Sequence, residues 1–207
     1  MTNPPRLLIA TRNPGKFSEF TTLLDGLGIE LLSLRDLPDA PIVAEDFTTY
    51  VENATAKACA VARHAGLPAL ADDSGLEVDA LEGGPGVRSA RFAGEPSDDR
   101  RNTEKLLRLL DGVPGARRTA RFCCVVVVAL PDGDRTLMAE GSVDGVIAPA
   151  PAGTSGFGYD PIFLIPSLGR TFAQLAAVEK HRLSHRARAC AQLRARLLPF
   201  LRASRVS

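Results

Sequence analysis

The segment TRNPGK at residues 11–16 could bind a phosphate group. It follows a short apolar run that predicts a strand, and it places Lys16 at the start of a predicted helix. Backbone N–H groups and the helix dipole at such a turn favour an anion, and the lysine adds a full charge. The segment is not a P-loop, because Ala10 and Phe17 stand where that motif requires glycine and serine or threonine. A solvated surface turn is the competing interpretation.

Two adjacent carboxylates, Asp72 and Asp73, could bind a divalent cation or activate a water molecule. They follow a short apolar run that predicts a strand. Because neighbouring side chains of an extended chain point to opposite sides, at most one of them faces a given site directly. A further acidic pair, Glu45 and Asp46, lies at the start of a predicted helix. Solvated or helix-capping carboxylates are the competing interpretation.

A flat ligand could bind at the segment GFGYDP, residues 156–161. Its two glycines allow close approach of the backbone, and its two aromatic side chains can stack on a base. Further along the chain, Lys180, Ser184 and His185 are predicted to lie near one face of a helix or at a helix entrance, where neighbouring basic residues make an anion site. A turn in the core and a solvated helix face are the competing interpretations.

Predicted strands and helices alternate along the chain and position these segments. Apolar runs predict strands at 6–11, 29–34, 68–71, 118–130, 135–148 and 162–165, and helical spacing predicts helices at 16–27, 46–65, 98–110 and 180–201. Asp46 is the predicted N-cap of the second helix. The turn PDGD at 131–134 predicts an antiparallel hairpin, so that the sheet is mixed. Together these elements predict an α/β fold.

Composition and charge exclude several classes of protein. The chain has 207 residues, 45% of them hydrophobic and 24% charged, with a net charge of +1. This balance argues against a protein that coats nucleic acid, although a small anionic ligand needs only a few cations in one place. Four cysteines without metal-ligand spacing predict reduced, buried thiols. Because no apolar stretch is long enough for a membrane span or a signal peptide, we expect a cytoplasmic protein without membrane or nucleic-acid partners.

Taken in order, the motifs resemble those of the inosine/xanthosine triphosphate pyrophosphatase family. The matching segments are TxNxxK at 11–16, ENAxxKA at 52–58, ADDSGLxVDAL at 71–81, GGPGVxSARFAG at 83–94, GTxGFGYDPIF at 153–163 and KxxxSHR at 180–186. They cover essentially the whole chain. The resemblance implies an α/β fold with a long mixed β-sheet, flanking helices and two lobes around a central nucleotide cleft. It also implies a single domain at residues 1–207 and a homodimer.

The resemblance implies roles for individual residues. Asp73 would be the catalytic carboxylate and, with Glu45, a ligand of Mg²⁺, and Asp72 would support them. The implied substrate-binding residues are Thr11, Arg12, Asn13, Pro14, Gly15, Lys16 and Lys57 at the triphosphate, Ser74 at the substrate, and Phe157, Gly158, Tyr159, Asp160, Lys180, His185 and Arg186 at the base. Many relatives have Glu-Thr-Gly where this chain has Glu-Asp-Phe at 45–47, so Glu45, Asp46 or both could reach the metal. The distance from Lys57 along the chain favours Glu45.

The implied reaction is hydrolysis of non-standard purine nucleoside triphosphates, namely ITP, dITP and XTP, to the monophosphate and pyrophosphate. Donors to the 6-oxo edge of the base would reject adenine, which presents an amino group there. Two alternatives stay open. One is a pyrophosphatase for other modified nucleotides, and the other is a non-catalytic nucleotide- or RNA-binding protein that uses the arginine-rich C-terminal helix.

Overall fold

Seven strands within residues 3–203, the part of the chain that the computed structural model describes, form one mixed sheet. They are β1 (Arg6–Ile9), β2 (Glu30–Ser33), β3 (Ala69–Val78), β4 (Thr119–Ala129), β5 (Thr136–Ile147), β6 (Phe163–Ile165) and β7 (Arg170–Thr171). Their order in the sheet is β2-β1-β3-β4-β5-β6-β7. β1 runs parallel to β2 and β3, whereas β6 runs antiparallel to β5 and β7. The predicted mixed sheet is confirmed.

β4 and β5 form the predicted hairpin. Near the turn, the N–H of Leu130 donates to the carbonyl oxygen of Arg135 at 3.1 Å. At the other end of the pair, the N–H of Ile147 donates to the carbonyl oxygen of Arg118 at 2.9 Å. Strands that are joined by so short a connection and bonded at both ends must be antiparallel.

The helices of the described residues are α1 (Pro14–Leu23), α2 (Tyr50–Ala65), α3 (Asp99–Leu109), α4 (Ala177–Leu183) and α5 (His185–Ala203). Among those residues, no helix combines the length and the apolar character that crossing a membrane requires. α1 begins at Pro14 rather than at the predicted residue 16, because Asn13 caps it and proline suits the first helical position.

The chain divides into two compact units. The first contains the chain up to Asp73, residues 124–141 and the chain from Arg186 onward, and the second contains residues 74–123 and 142–185. In the first unit, alternate residues of β1 pack on opposite faces of the sheet: Leu7 and Ile9 join a core with α1 and α5, and Leu8 joins a core with α2. The second unit has its own core, which includes the aromatic rings of β4, β6 and the turn after β7.

The third strand is longer than predicted. The sequence predicts that it ends at Ala71, but β3 continues through Asp72, Asp73 and Ser74 to Val78. Acidic residues are poor strand formers when they are unpaired, and here side chains from three helices bind the two carboxylates inside the sheet. The aspartates therefore lie within a strand and not in a loop after it.

Two predicted helix boundaries are wrong. α2 is capped by Thr49 and not by Asp46: the Thr49 Oγ1 accepts the N–H of Glu52 at 3.2 Å and donates to the Glu52 Oε2 at 2.6 Å. The predicted helix at 180–201 is two helices. Ser184 is extended, with φ −65° and ψ 156°, and separates α4 from α5. Lys180 and His185 therefore do not share a helical face.

Candidate active site

β3 points its adjacent aspartates in opposite directions, as predicted from the alternation of a strand. Asp72 contacts Lys16 of α1 and Arg186 of α5, whereas Asp73 contacts Asn53 of α2. Both carboxylates are buried. The same alternation that separates the two apolar cores of the first unit therefore sends one carboxylate to each side of the sheet.

Cations surround Asp72. The Lys16 Nζ lies 2.9 Å and the Arg186 Nη2 3.2 Å from its Oδ2, and Arg186 also binds the Glu19 carboxylate. Burial alone would raise the pKa of Asp72, but the charges of Lys16, Arg186 and Lys57 outweigh it and hold the pKa well below its usual range. Asp72 is therefore an anion whenever the protein is folded near neutral pH, and it fixes the position of Lys16.

Asp73 has a different environment. Asn53 Nδ2 donates to its Oδ2 at 3.0 Å, and the Lys57 Nζ lies 3.7 Å from its Oδ1. Burial and, to a lesser degree, the charge of Glu45 raise the pKa of Asp73, against the lowering effect of Lys57, to about 6. A carboxylate that titrates near neutral pH can take a proton from water and release it again, which is the property of a general base.

Lys57 joins the segment before α2 to β3. Its Nζ donates to the Glu45 Oε1 at 2.6 Å and to the carbonyl oxygen of Asp72 at 2.5 Å. Burial lowers the pKa of Lys57, but the charges of Asp72, Glu45 and Asp73 outweigh it and raise the pKa. Asp46, the other candidate acid, is exposed. The lysine therefore pairs with the acid that the sequence favoured, and the assignment of Glu45 and Asp73 as metal ligands stays a prediction.

The carboxylates beside Lys57 fit a magnesium ion. A cation, the ammonium group of Lys57, already contacts oxygens of both Glu45 and Asp73. Within residues 3–203, no three His, Cys, Asp or Glu side chains cluster closely enough to hold a metal by themselves. Mg²⁺ does not require such a cage, because it usually binds through one or two carboxylates, several waters and the phosphates of a substrate.

The predicted phosphate-binding segment, residues 11–16, contains the N-cap of α1, which is Asn13. The Asn13 Oδ1 accepts the N–H of Gly15 at 2.8 Å and that of Lys16 at 3.1 Å, and Pro14 has no N–H to offer. The backbone donors that the sequence predicted to face an anion are therefore bonded to a side chain of the same turn. Side-chain cations such as Lys16 must supply the attraction for a phosphate.

In the second unit, Lys180 binds an acid and an aromatic ring that the sequence placed at the base. Its Nζ lies 2.6 Å from the Asp160 Oδ2 and 4.8 Å from the centre of the Phe157 ring. Asp160 also accepts the Phe157 N–H at 2.9 Å. Gly156 has a φ of +81°, and a Cβ there would clash with the Asp160 Oδ2, so glycine is favoured at this position. Asp160 thus binds both the backbone of Phe157 and the ammonium group of Lys180.

Hydrogen bonds to neighbouring loops fix the rest of this segment. The buried Tyr159 donates its hydroxyl to the carbonyl oxygen of Ser89 at 2.8 Å, and the Gly158 N–H donates to the Asp99 Oδ2 at 2.7 Å. Ser74 is half-buried in β3. A direct role of these residues in substrate binding stays a prediction.

His185 and Arg186 are neighbours in sequence but belong to different units. The ring of His185 stacks on Phe122, with centroids 4.8 Å apart and an interplanar angle of 18°. The guanidinium of Arg186 is buried, with Glu19 and Asp72 as partners. Contact of either side chain with a base stays a prediction.

Two buried residues of the site, Glu19 and Asn53, were not among those predicted. Glu19 lies directly before Phe20 on the buried face of α1, and a carboxylate on an apolar helix face is a signal that a cationic partner exists. Asn53 lies four residues before Lys57 on α2, so that the two side chains share a helical face. That spacing within the ENAxxKA motif could have identified it.

Asn53→Ala is expected to lower kcat/KM about tenfold and to move the acidic limb of the pH profile to higher pH. Asn53 Nδ2 donates to Asp73, and its carboxamide also binds both backbone groups of Phe47 at 3.2 and 3.3 Å. The donor to the ionised carboxylate lowers the pKa of Asp73, so its removal raises the pKa. The loss of one hydrogen bond to a charged group corresponds to about tenfold. Steady-state kinetics between about pH 5 and about pH 9 measures both kcat/KM and the position of the acidic limb.

Asn102→Ala is the matched control. Asn102 is also buried and also binds two backbone groups, the N–H of Ala93 at 2.6 Å and the carbonyl oxygen of Ala90 at 2.9 Å, but it touches no carboxylate of the site. It is expected to cost similar stability without moving the pH profile. An unchanged profile in Asn53→Ala, or an equal shift in Asn102→Ala, would contradict the positioning of Asp73 by Asn53.

A mixed sheet with the buried Asp72 and Asp73 on β3, beside the half-buried Lys16 and Lys57, defines an α/β protein with acidic and basic side chains gathered in one site. The chain belongs to the Ham1 family, whose family model matches residues 7–196. The family predicted from the motifs is confirmed.

Curated relatives and solved structures agree with this assignment. The chain is 54% identical over 187 residues to the dITP/XTP pyrophosphatase of Geobacillus kaustophilus, covering 90% of this chain and 91% of that protein. It is 51% identical over 189 residues to the dITP/XTP pyrophosphatase of Geobacter sulfurreducens, covering 91% and 94%. The structure of a HAM1 protein from Coxiella burnetii matches with a TM-score of 0.84 at 40% identity, covering 92% of this chain and 97% of that one. The α/β fold is confirmed.

Proposed function

We propose that this protein hydrolyses non-standard purine nucleoside triphosphates, such as dITP, ITP and XTP, to the nucleoside monophosphate and pyrophosphate. The observation that carries the proposal is Asp73, a buried carboxylate with a pKa of about 6 beside Lys57 and Glu45. The substrate class is supported by the names of two relatives, which are about half identical to this chain over about nine tenths of its length.

The side chains of the first unit suit attack of water on the α-phosphorus. Asp73 accepts a proton from the water as its oxygen bonds to phosphorus, and the bond from phosphorus to the pyrophosphate oxygen breaks. Lys16 and Lys57 supply positive charge where the phosphates carry negative charge. Asp72 holds Lys16 in place through the whole cycle, since it stays ionised.

Magnesium is part of the proposal. Glu45 and Asp73 would hold the ion, which when bound neutralises phosphate charge and polarises the phosphoryl oxygens. Lys57, which contacts both carboxylates, keeps their charges balanced in the metal-free protein. The protein's own residues thereby keep two acidic side chains together, one of which, Asp73, is also the proposed general base.

The base would bind in the second unit, where the Phe157 ring and the Lys180 ammonium lie together. A donor to the 6-oxo group favours hypoxanthine and xanthine over adenine, which presents an amino group there and leaves a buried donor unpaired. Guanine also has a 6-oxo group, so its rejection must rest on the 2-position of the base. Asp160 holds Lys180 in position for such a role. A homodimer in the cytoplasm, without membrane or nucleic-acid partners, completes the proposal, and light scattering of the purified protein tests the dimer.

A panel of nucleotides tests the proposed function. Purified protein with Mg²⁺ is expected to convert ITP, dITP and XTP to monophosphate and pyrophosphate, with kcat/KM for ATP and GTP lower by about 100-fold or more. Phosphorus NMR of the products distinguishes pyrophosphate from orthophosphate. Release of orthophosphate alone, or faster turnover of ATP or GTP, would overturn the proposal. Faster turnover of modified pyrimidine triphosphates would favour a pyrophosphatase for other modified nucleotides.

A further inference from the structure

The segment proposed to bind the base, residues 156–160, contains a tight turn from Phe157 to Asp160. The Asp160 N–H donates to the carbonyl oxygen of Phe157 at 3.2 Å, which closes a turn of four residues. Gly158, the second residue of the turn, has a φ of +61°, a conformation that favours glycine at this position. The Phe157 ring lies at one end of the turn, and the carboxylate that binds Lys180 lies at the other. The placement of both groups therefore depends on how the turn is oriented.

This segment needs support from other parts of the second unit. It lies between β5 and β6 and has no helix or strand of its own, and two of its five residues, 156 and 158, are glycine. Glycine loses more conformational freedom than any other residue when it is ordered. Both central residues of the turn are bonded to distant groups: the Gly158 N–H donates to the Asp99 Oδ2 at 2.7 Å, and the Tyr159 hydroxyl donates to the carbonyl oxygen of Ser89 at 2.8 Å.

Both of these bonds lead to α3. Asp99 is the first residue of that helix. Ser89 lies in a short 3₁₀ helix, Gly86–Arg91, and the residue after it, Phe92, is bound by α3 through Lys105. The Lys105 Nζ donates to the carbonyl oxygen of Phe92 at 2.6 Å and lies 4.3 Å from the centre of its ring. α3 therefore supports the turn directly through Asp99 and indirectly through the segment that carries Ser89.

The two acids at the start of α3 have different contacts. Asp98 is the N-cap, and its Oδ1 accepts the N–H of Arg101 at 2.8 Å. Asp99 is the next residue, and its Oδ2 accepts the N–H of Gly158, which is 59 positions away in the sequence. Asp99 is exposed, so its replacement removes no packing from the core. The bond to the turn is therefore a contact that can be removed without disturbing the cap of the helix.

We propose that Asp99 is a positioning residue for the base. Its bond to the Gly158 N–H holds the turn, and with it the Phe157 ring and Lys180, in the conformation that binds a purine. The inference rests on the proposed function and adds a residue that none of the sequence motifs contains. Without this bond the turn has more conformational freedom to lose when the base binds, and affinity for the base falls. The residues proposed to act on the phosphates belong to the first unit and keep their geometry.

Steady-state kinetics of Asp99→Ala with ITP and with ATP, in the presence of Mg²⁺, tests the inference. KM for ITP is expected to rise about tenfold and kcat to stay within about twofold of wild type, because a bond to a charged group is lost away from the reacting atoms. The ratio of kcat/KM for ITP to that for ATP is expected to fall about fivefold, since a preorganised turn favours the base that fits it. Asp99→Asn keeps an acceptor oxygen, and its KM is expected to rise only about threefold.

Asp98→Ala is the matched control. It removes the neighbouring carboxylate and with it the N-cap of α3, so it is expected to lower the melting temperature more than Asp99→Ala does, while KM for ITP stays within about twofold of wild type. An unchanged KM in Asp99→Ala, or an equal rise in Asp98→Ala, would overturn the proposal. Turnover of ITP by the wild-type protein tests the proposed function separately, so the two failures are distinguishable.

Discussion

Asp73→Asn is expected to lower kcat by about 10³-fold or more and, at the same time, to stabilise the metal-free protein. Removal of a positioned general base costs about 10²–10⁴ in rate, and loss of a metal ligand adds to it. The amide keeps the volume of the carboxylate and the hydrogen bond with Asn53, so the fold is retained. Activity and stability are therefore expected to change in opposite directions.

The gain in stability follows from the raised pKa. Asp73 has an ordinary pKa of 3.8 and a folded pKa of about 6, so the folded state binds its proton more tightly than the unfolded state. The stabilising contribution of that proton is present below pH 4 and is lost as the pH rises through 6. Above pH 6 the ionised, buried carboxylate costs roughly 1–3 kcal/mol, which the neutral asparagine does not.

The test is to measure the melting temperatures of wild type and Asp73→Asn in EDTA, at several pH values between about 4 and 8. The variant is expected to melt at nearly the same temperature as wild type at pH 4 and several degrees higher at pH 7 and above. Asp134→Asn removes an exposed carboxylate of the same unit and is expected to change neither kcat nor the melting profile. A variant that melts below wild type at pH 8, or a difference that does not depend on pH, would contradict the raised pKa of Asp73.

Addition of Mg²⁺ separates the role in metal binding from the role as a base. An ion that binds only the folded protein stabilises it by an amount that grows with the logarithm of the ion concentration divided by Kd, and so raises its melting temperature. Wild type is expected to gain stability with Mg²⁺, and Asp73→Asn is expected to gain little, because one of two carboxylate ligands is lost. An equal gain in both proteins would show that Asp73 is not a ligand and that the metal binds elsewhere.

Local patterns in the sequence were sufficient to predict how β3 orients its two aspartates and how β4 and β5 pair. The alternation that sends Asp72 and Asp73 to opposite sides needs only that the chain be extended there, and the hairpin of β4 and β5 needs only the turn between them. Competition between two local signals defeated the prediction at α2. Asp46 and Thr49 are both good N-caps, and only Thr49 has a glutamate three residues later, whose carboxylate accepts the Thr49 hydroxyl.

Partners that are distant in sequence account for what could not be predicted. Glu19 and Arg186 are 167 positions apart, and no periodicity relates a carboxylate on α1 to a guanidinium at the start of α5. The length of β3 could not be predicted for the same reason. Asp72 is accommodated inside the strand because Lys16 and Arg186 balance its charge, and both are distant in sequence. The break at Ser184 is of this kind as well, because it lies at the point where the chain passes from the second unit to the first.

Arg186→Met is expected to destabilise the protein by about 3–5 kcal/mol, the largest effect on stability of any change considered. The guanidinium is 1% exposed and binds Glu19 on one side and Asp72 on the other. Burial lowers the pKa of Arg186, but the charges of Asp72 and Glu19 outweigh it and raise the pKa. Methionine fills most of the space of the arginine side chain but leaves the buried Glu19 carboxylate without its cation. Leaving a buried charge uncompensated in this way typically costs about 3–5 kcal/mol of stability.

Urea unfolding of wild type and four variants measures the effect and assigns its cause. The free energy of unfolding of Arg186→Met is expected to fall by the full amount of about 3–5 kcal/mol, which corresponds to roughly 10 °C in melting temperature. Glu19→Gln is expected to lose less. The double variant is expected to be more stable than Arg186→Met alone, because the glutamine no longer carries the charge that the methionine left unbalanced. Arg182→Met, which replaces an exposed arginine of α4, serves as the control and is expected to change stability by less than about 0.5 kcal/mol. If the double variant lost the sum of the two single effects, the Arg186–Glu19 pair would not be the source of the stability.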